Sequence, residues 1–173
     1  MRTHAALFER LIRIVVSQQL STAAARSIFA RVRTACGGRL TPESVLKCRP
    51  QVFRVAGLSG AKTKTLKIIA RLVKTNILNL LALKKISETD ATEQLMQVWG
   101  LGPWSVDMFM MFALGKSDVF SAGDRGLVRA MKTIYALPKH TPRTSLLNIA
   151  RMWSPYRTYA SLLLWSTRDT KVG

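Results

Sequence analysis

The fold of this chain is decided by residues 98–105, which read Val98-Trp99-Gly100-Leu101-Gly102-Pro103-Trp104-Ser105. The two glycines predict a tight turn, because glycine tolerates positive φ and lets a second backbone approach closely. Pro103 suits the first position of a helix, where its missing N–H costs nothing. Apolar residues then recur at helical spacing, at Val106, Phe109, Met110, Ala113 and Leu114. The stretch therefore predicts two helices joined by a hairpin, and the free N–H groups where the second helix starts suit a phosphate.

Helical periodicity continues on both sides of the hairpin, whereas we find no alternating pattern typical of strands. Capping residues and prolines mark the helix starts, among them Ser21, Thr41-Pro42, Pro50, Ser87 or Thr89, and Asp124. The long helix after Gly60 is predicted to bury one stripe, made of Leu66, Ile69, Ala70, Val73 and Ile77. The last helix is predicted from Tyr156 to about Arg168. The sequence thus predicts an all-α protein of about ten helices, a single domain over residues 1–173, with the helix–hairpin–helix at about 89–115.

Charge is the strongest feature of the composition, because 27 Lys and Arg face 9 Asp and Glu, a net charge of +18. An excess this large indicates a polyanionic partner, with nucleic acid as the first candidate and a merely basic surface as the alternative. Hydrophobic residues make up 48% of the chain, which favours a folded core over a disordered basic tail. We expect no membrane-spanning helix, since no apolar run approaches ~20 residues, and no signal peptide is recognisable. Cys36 and Cys48 fit no metal-ligand spacing and favour a reducing compartment.

Two segments carry a family resemblance. Residues 94–105, around the hairpin, resemble the helix–hairpin–helix of the HhH-GPD base-excision DNA glycosylases. Residues 118–127 resemble the Gly/Pro-rich loop and aspartate of the same family, and Asp124 lies 22 residues beyond Gly102. The 3-methyladenine DNA glycosylase II branch is the most similar, and the resemblance runs from about Leu7 to about Arg168. It implies two packed helical lobes with a cleft between them.

The resemblance makes Asp124 the catalytic residue, although a helix-starting aspartate is also a common N-cap. Base cleavage passes through an oxocarbenium-like state, which a nearby carboxylate stabilises. An alkylated purine already carries positive charge and leaves without a strong general acid. Strand-cleaving relatives carry a Schiff-base lysine where this chain has Trp104. We therefore expect a monofunctional enzyme that flips and releases alkylated purines from duplex DNA and leaves an abasic site.

The same resemblance suggests further site residues. Gln18, Trp104 and Tyr156 are expected to bind the flipped base, although Gln18 could instead bond a neighbouring backbone and Trp104 could pack the hairpin. The expected DNA contacts are Leu58, as a wedge, and Lys62, Lys64, Gly100, Gly102 and Arg157. A charge run such as the one around Lys62 is otherwise a solvated helix face. Arg125 departs from the family pattern, which has an apolar residue after the aspartate.

Expectations about cofactors and partners follow from the same comparison. The resemblance implies a structural monovalent cation, Na⁺ or K⁺, held by the carbonyls of Met96, Val98 and Leu101. An iron–sulfur cluster is not expected, because the chain has two cysteines rather than four. We expect a monomer that acts on damaged double-stranded DNA, away from membranes, in the cytoplasm or nucleoid of a prokaryote or the nucleus of a eukaryote. The alternatives are a noncatalytic helix–hairpin–helix DNA-binding module and a basic RNA-binding protein.

Overall fold

A computed structural model describes residues 3–167 and contains ten α-helices in that range. They are α1 (His4–Ser17), α2 (Thr22–Ala35), α3 (Pro42–Lys47), α4 (Pro50–Val55), α5 (Gly60–Lys74), α6 (Glu88–Met96), α7 (Pro103–Phe109), α8 (Arg125–Ile134), α9 (Arg143–Arg151) and α10 (Arg157–Ser166). A 3₁₀ turn at Ala82–Lys84 and a π-helical turn at Met110–Leu114 complete the secondary structure, and the described residues include no strand. The all-α prediction is confirmed, and the predicted end of the last helix at Arg168 lies outside the described residues.

The helices begin where the capping residues predict. Side chains of Ser21, Thr41, Ser87 and Asp124 each accept a hydrogen bond from a main-chain N–H in the first turn of the following helix. Prolines occupy the first positions of other helices, at Pro42, Pro50 and Pro103. These local signals fix the boundaries, which is why most helix starts could be read from the sequence.

Two apolar cores lie side by side, which confirms the predicted two-lobed arrangement. The larger core is built by α1–α7 and the π-helical turn, and it includes the fully buried side chains of Phe8, Phe53 and Phe109. The smaller core is built by α8–α10 around Leu127. Trp165 packs against both cores, so it lies where the lobes meet. Within residues 3–167 no helix is long and apolar enough to cross a bilayer.

The hairpin rests directly on α5. Gly100 has φ +86°, and a Cβ there would lie 2.0 Å from Thr65 Oγ1, so only glycine fits. The predicted close approach occurs at this glycine, but its partner is the Thr65 side chain and not a second backbone. Gly102, by contrast, has nothing within 4 Å of the Cβ position and starts α7 as its N-cap. The second glycine therefore leaves the hairpin surface open.

The periodicity fails at the end of α5. Ile77 was predicted to face the core but is 76% exposed. The reason is that α5 ends at Lys74 and the chain turns at Asn76, which has φ +58°. After the hairpin, α7 passes into the π-helical turn Met110–Leu114, and the apolar stripe predicted from Val106 to Leu114 is buried. Arg10 donates to the Phe112 carbonyl in that turn at 2.8 Å, and π turns of this kind often occur at functional sites.

Candidate active-site cleft

A cleft of about 900 Å³ opens between the lobes. The end of α1, the start of α7, the loop before α8 and the end of α10 all contribute to its walls. Among its lining residues are Gln18, Gly102, Trp104, Asp124 and Trp165. The structure therefore brings together four residues that the sequence assigned to the site, and adds Trp165. The volume falls in the range typical of small-molecule sites and suits a nucleobase.

Asp124 is held at the cleft by three neutral donors. Its Oδ1 accepts from the Leu127 N–H at 2.7 Å and from the Trp165 indole N–H at 3.1 Å. Its Oδ2 accepts from the Trp104 indole N–H at 2.9 Å. The carboxylate thus caps α8 and faces the cleft at the same time, so the capping role does not exclude a chemical one.

The electrostatics keep Asp124 ionised. Burial alone would raise the pKa of this carboxyl, but the hydrogen bonds from Trp104, Leu127 and Trp165 outweigh burial and lower the pKa below its usual value. Hydrogen bonds to the charged form have this effect because they stabilise the carboxylate rather than the acid. Since all three donors are neutral, they orient the negative charge without cancelling it.

Two indoles frame this carboxylate. Trp104 lines the cleft and also packs against the larger core, so both roles weighed for it from the sequence apply. Trp165 was not assigned to the site, because it lies 41 residues after Asp124 and no local motif links them. Phe112, from the π-helical turn, packs on Trp165 with ring centroids 5.7 Å apart. The π turn therefore helps to place the second indole.

Gln18 reaches from the end of α1 to the hairpin. Its Nε2 donates to the Gly100 carbonyl at 2.9 Å and to Ser105 Oγ at 2.8 Å. A primary amide has two N–H donors, and both are used here, so only the amide oxygen remains as a hydrogen-bonding atom of this side chain. The main-chain contact and the pocket position, weighed as alternatives from the sequence, occur together.

Tyr156 lies outside the cleft. It is 63% exposed and packs against Tyr159 with ring centroids 6.2 Å apart. The base-stacking position predicted for Tyr156 is therefore corrected, because the cleft's aromatic side chains are Phe29, Trp104 and Trp165. The family resemblance at Tyr156 does not reveal the direction of its ring.

Arg157 is engaged inside the protein. Its Nε and Nη2 donate to Asp118 Oδ1 and Oδ2 at 2.6 and 2.9 Å, and Ser154 Oγ donates to Asp118 Oδ2 at 2.8 Å. Arg157 lowers the pKa of Asp118 to about 2. Asp118 therefore ties its loop to Ser154 and to Arg157 at the start of α10. Arg157 forms this ion pair with a side chain that is 33% exposed, and its phosphate contact stays a prediction.

The remaining predicted DNA contacts differ in their surroundings. Leu58 is 4% exposed and belongs to the larger core, so the wedge prediction is wrong: a core side chain cannot enter a base stack. Lys62 donates two hydrogen bonds from its ammonium group to main-chain carbonyls at the end of α1. Lys64 is exposed beside the hairpin, with its Nζ 4.4 Å from the centroid of the Trp99 ring, and its phosphate contact stays a prediction.

The turn between α1 and α2 supplies two residues to which the sequence assigned no role of their own. Gln19, with φ +55°, and Leu20, 39% exposed, lie at the edge of the cleft. Three arginine side chains also line the cleft, Arg13, Arg26 and Arg125. The residue that departs from the family pattern after Asp124 thus lies at the cleft mouth.

The hairpin carbonyls could still hold the predicted cation. The Val98 carbonyl accepts from the Leu101 N–H at 3.0 Å, which leaves it a second lone pair. Carbonyl oxygens of Met96, Val98 and Leu101 are hard ligands that suit Na⁺ or K⁺, so the donor set fits. Across residues 3–167 no group of three or more His, Cys, Asp or Glu side chains is placed to hold a metal ion.

Comparisons with known proteins converge on one family. The model of the "HhH-GPD superfamily base excision DNA repair protein" family matches residues 12–155. DNA-3-methyladenine glycosylase 1 of Schizosaccharomyces pombe is 33% identical over 166 residues, which cover 92% of this chain and 72% of that protein. The putative DNA-3-methyladenine glycosylase YfjP of Bacillus subtilis is 27% identical, over 92% of this chain and 58% of that protein.

Solved structures agree in fold. A DNA-3-methyladenine glycosidase from Bacillus halodurans superposes with a TM-score of 0.84 at 35% identity, over 95% of this chain and 76% of that one. The S. pombe 3-methyladenine DNA glycosylase Mag1, solved in complex with abasic DNA, superposes with a TM-score of 0.87 at 30% identity. That match covers 98% of this chain and 86% of the Mag1 chain.

Proposed function

The chain belongs to the HhH-GPD superfamily of base excision DNA repair proteins, and we propose that it hydrolyses the N-glycosidic bond of alkylated purines, of the 3-methyladenine type, in duplex DNA. The observation that carries this proposal is the Asp124 carboxylate, held at the cleft by two indoles and one amide. The names of the S. pombe and B. halodurans relatives support the same substrate class.

Asp124 supplies the charge that the reaction needs. When the bond between C1′ and the base nitrogen breaks, its electron pair leaves with the base and the sugar becomes oxocarbenium-like. A purine that is already cationic leaves as a neutral molecule. The fixed carboxylate stabilises the sugar cation and can orient the water that adds to C1′. Water addition releases a proton and leaves an abasic site.

The walls of the cleft suit a flipped purine. The faces of Trp104 and Trp165 offer stacking surfaces, and a cationic base on an indole gains a cation–π contribution. The Gln18 amide oxygen can accept from an N–H on the purine edge, because its N–H donors are already bound to the hairpin. We assign the gap-filling role, predicted for Leu58, to the exposed Gln19-Leu20 turn at the cleft edge.

Release without strand cleavage is the second part of the proposal. Trp104 has no amine and cannot form a Schiff base with the sugar. Borohydride should therefore trap no covalent adduct through this position, and strand breaks should appear only after alkali or heat. Efficient trapping together with direct strand cleavage would show that the enzyme is bifunctional.

The hairpin would grip the DNA backbone without reading sequence. Gly102, open on its Cβ side, and the exposed Lys64 are the proposed contacts, and the main chain at Gly100 supports the turn. A monovalent cation at the carbonyls of Met96, Val98 and Leu101 would add positive charge for a phosphate. The partner is duplex DNA with a damaged base, and we propose that a monomer binds it.

The deciding experiment is base release from methylated duplex DNA, analysed by chromatography, with unmethylated duplex as the control. We expect 3-methyladenine among the released bases and none from the control. Salt-dependent duplex binding with no release from any alkylated duplex would favour the noncatalytic module. Stronger competition by RNA than by duplex DNA would favour the RNA-binding alternative. The Asp124 geometry argues against both alternatives.

A further inference from the structure

Several lysines of this acid-poor chain bind main-chain carbonyls where helical segments end. Each of three ammonium groups donates to two carbonyl oxygens: Lys62 to Val16 and Gln18, Lys67 to Leu46 and Cys48, and Lys116 to Lys84 and Ile86. The last carbonyls of a helix lack intrahelical donors and carry partial negative charge. An ammonium group with three N–H donors can satisfy more than one of them. These three lysines therefore stabilise helix ends, although the net charge alone would suggest that they bind a polyanion.

Lys62 differs from the other two lysines because one of the carbonyls that it binds belongs to Gln18, a residue that lines the cleft. The last turn of α1 contains no basic residue, and Lys62 supplies the missing cation from the first turn of α5. Its Nζ lies 2.8 Å from the Val16 carbonyl oxygen and 2.6 Å from that of Gln18. The group is partly buried, and this desolvation lowers the pKa of Lys62.

Gln18 is consequently held at both ends. Its carbonyl accepts from Lys62, while its side-chain amide donates to the Gly100 carbonyl and to Ser105 Oγ. The next residue, Gln19, has φ +55°, a conformation that is strained for a non-glycine residue and persists only where the surroundings impose it. The Lys62 ammonium group is thus hydrogen-bonded to the residue that directly precedes the Gln19-Leu20 turn at the edge of the cleft.

We propose that Lys62 is a positioning residue of the proposed glycosylase site: its ammonium group fixes the end of α1, and so places the Gln18 amide and the Gln19-Leu20 turn against the hairpin. The inference rests on the proposed function for its effect on base release. It replaces the phosphate contact that the sequence predicted for Lys62. Hydrogen bonds from a charged donor are stronger than those between neutral groups, so two of them to one segment can fix its position.

Three single variants separate these roles. Lys62→Met keeps much of the side-chain length and removes the donors. Lys67→Met is the matched control, since it removes the same kind of contact at the end of α3, away from the cleft. Lys64→Met removes an exposed charge on the same helix as Lys62. Each folded variant is assayed for single-turnover base release from methylated duplex at saturating protein, for the salt dependence of duplex binding, and for hydrogen exchange at amides 17–21.

For Lys62→Met we expect the single-turnover rate to fall about 10- to 100-fold, because displacement of a positioning group by about 1 Å has effects of this size. Exchange at amides 17–21 should accelerate, and the salt slope should stay at the wild-type value. Lys67→Met should lose thermal stability but keep both the rate and the exchange of amides 17–21. For Lys64→Met, the slope of the logarithm of the binding constant against the logarithm of the salt concentration should become less negative by about 0.9, the change expected for the loss of one phosphate contact.

A folded Lys62→Met variant with wild-type rate and wild-type exchange would overturn the inference. A reduced salt slope with an unchanged rate would also overturn it, and would restore the phosphate contact. If the wild-type protein released no base at all, the proposed function would fail. In that case faster exchange in Lys62→Met than in Lys67→Met would still establish the positioning of the turn, and equal exchange would refute it.

Discussion

Asp118 and Asp124 stand at the two ends of one loop and are bound in opposite ways. Asp118 faces the guanidinium of Arg157 in an ion pair with a 2.6 Å contact, and it ties the loop to α10. Asp124 faces two indole N–H groups and the Leu127 amide. Both carboxyls have lowered pKa values, but only Asp118 has a cation as the first cause.

The difference separates a structural carboxylate from a chemical one. A guanidinium partner cancels most of the field of the carboxylate, whereas neutral donors fix its position and leave its charge for a substrate. A chain with 27 basic residues could easily have supplied a cation to Asp124. That its hydrogen-bond donors are all neutral is what points to stabilisation of a positively charged sugar.

The largest effect should come from Asp124→Asn. Asn remains a good N-cap, so the fold should persist, although its amide can no longer accept from both indoles. Losing the charge should reduce single-turnover base release on the order of 10²–10³-fold, the usual cost of one such electrostatic contact. DNA binding should be kept. Asp124→Ala serves as the control for capping, since a purely capping Asp124 would make Ala unstable and leave Asn nearly as active as the wild type.

Trp104→Phe should have a smaller effect on rate and a distinct effect on its pH dependence. The ring remains for stacking, but Asp124 Oδ2 loses its 2.9 Å donor. Because that hydrogen bond lowers the pKa of Asp124, its removal raises this pKa. The acid limb of the pH–rate profile should therefore lie at higher pH in Trp104→Phe than in the wild type. We expect a rate loss on the order of tenfold near neutral pH, or about 1.4 kcal/mol. An unchanged acid limb of the pH–rate profile would mean that this indole does not tune Asp124.

Asp118→Asn should affect stability and leave the chemistry alone. Removing the ion pair should cost about 1–2 kcal/mol and lower the melting temperature by about 2–8 °C, with base release unchanged well below that temperature. The stabilisation by Asp118 is present above its unfolded pKa and is lost as pH falls towards its folded pKa of about 2. The difference between the two proteins should therefore shrink in melting curves recorded below pH 4. A rate loss at full folding would contradict the assignment of Asp118 to the fold.

The smallest expected effect is at Asp107, a carboxyl whose pKa is raised, whereas those of Asp118 and Asp124 are lowered. Burial raises its pKa to about 6, since the Ser121 hydroxyl and the charge of Arg143 offset only part of the desolvation. A raised carboxyl pKa means that stability falls as pH rises from the unfolded pKa through 6. Asp107→Asn should therefore gain about 1 kcal/mol, or about 2–4 °C in melting temperature, at pH 8 and nothing at pH 4. Equal melting temperatures of the wild type and Asp107→Asn at pH 8 would show that ionisation of Asp107 does not lower the stability of the folded protein.

How much of this could be predicted depends on how local each signal is. The N-caps, Asp124 among them, and the turn at Gly100 follow from motifs within a few residues and agree with the structure, whereas the catalytic role of Asp124 stays a prediction. The partners of Lys62 lie 44 and 46 residues away, and Trp165 lies 41 residues from Asp124. Helical periodicity does not reveal contacts between residues so far apart in the sequence. It also assigned Ile77 to the core, because an apolar stripe does not reveal that α5 has already ended at Lys74.

Charge was the least reliable guide to position. Basic residues were expected to meet phosphates, yet Lys62 caps α1 and Arg157 pairs with Asp118. Composition gives the sign of the partner and cannot say which cations the fold itself uses. Only contacts across the molecule decide that.

The central claim is that the Asp124 carboxylate stabilises positive charge on the sugar, and affinity for a charged sugar mimic tests it most directly. Duplex DNA carrying a cationic pyrrolidine at one abasic position is compared with duplex carrying a neutral tetrahydrofuran there. We predict that the wild-type protein binds the cationic duplex roughly 10- to 100-fold more tightly, and that Asp124→Asn binds both equally. Equal binding of the two duplexes by the wild type, or a preference that survives in Asp124→Asn, would contradict the claim.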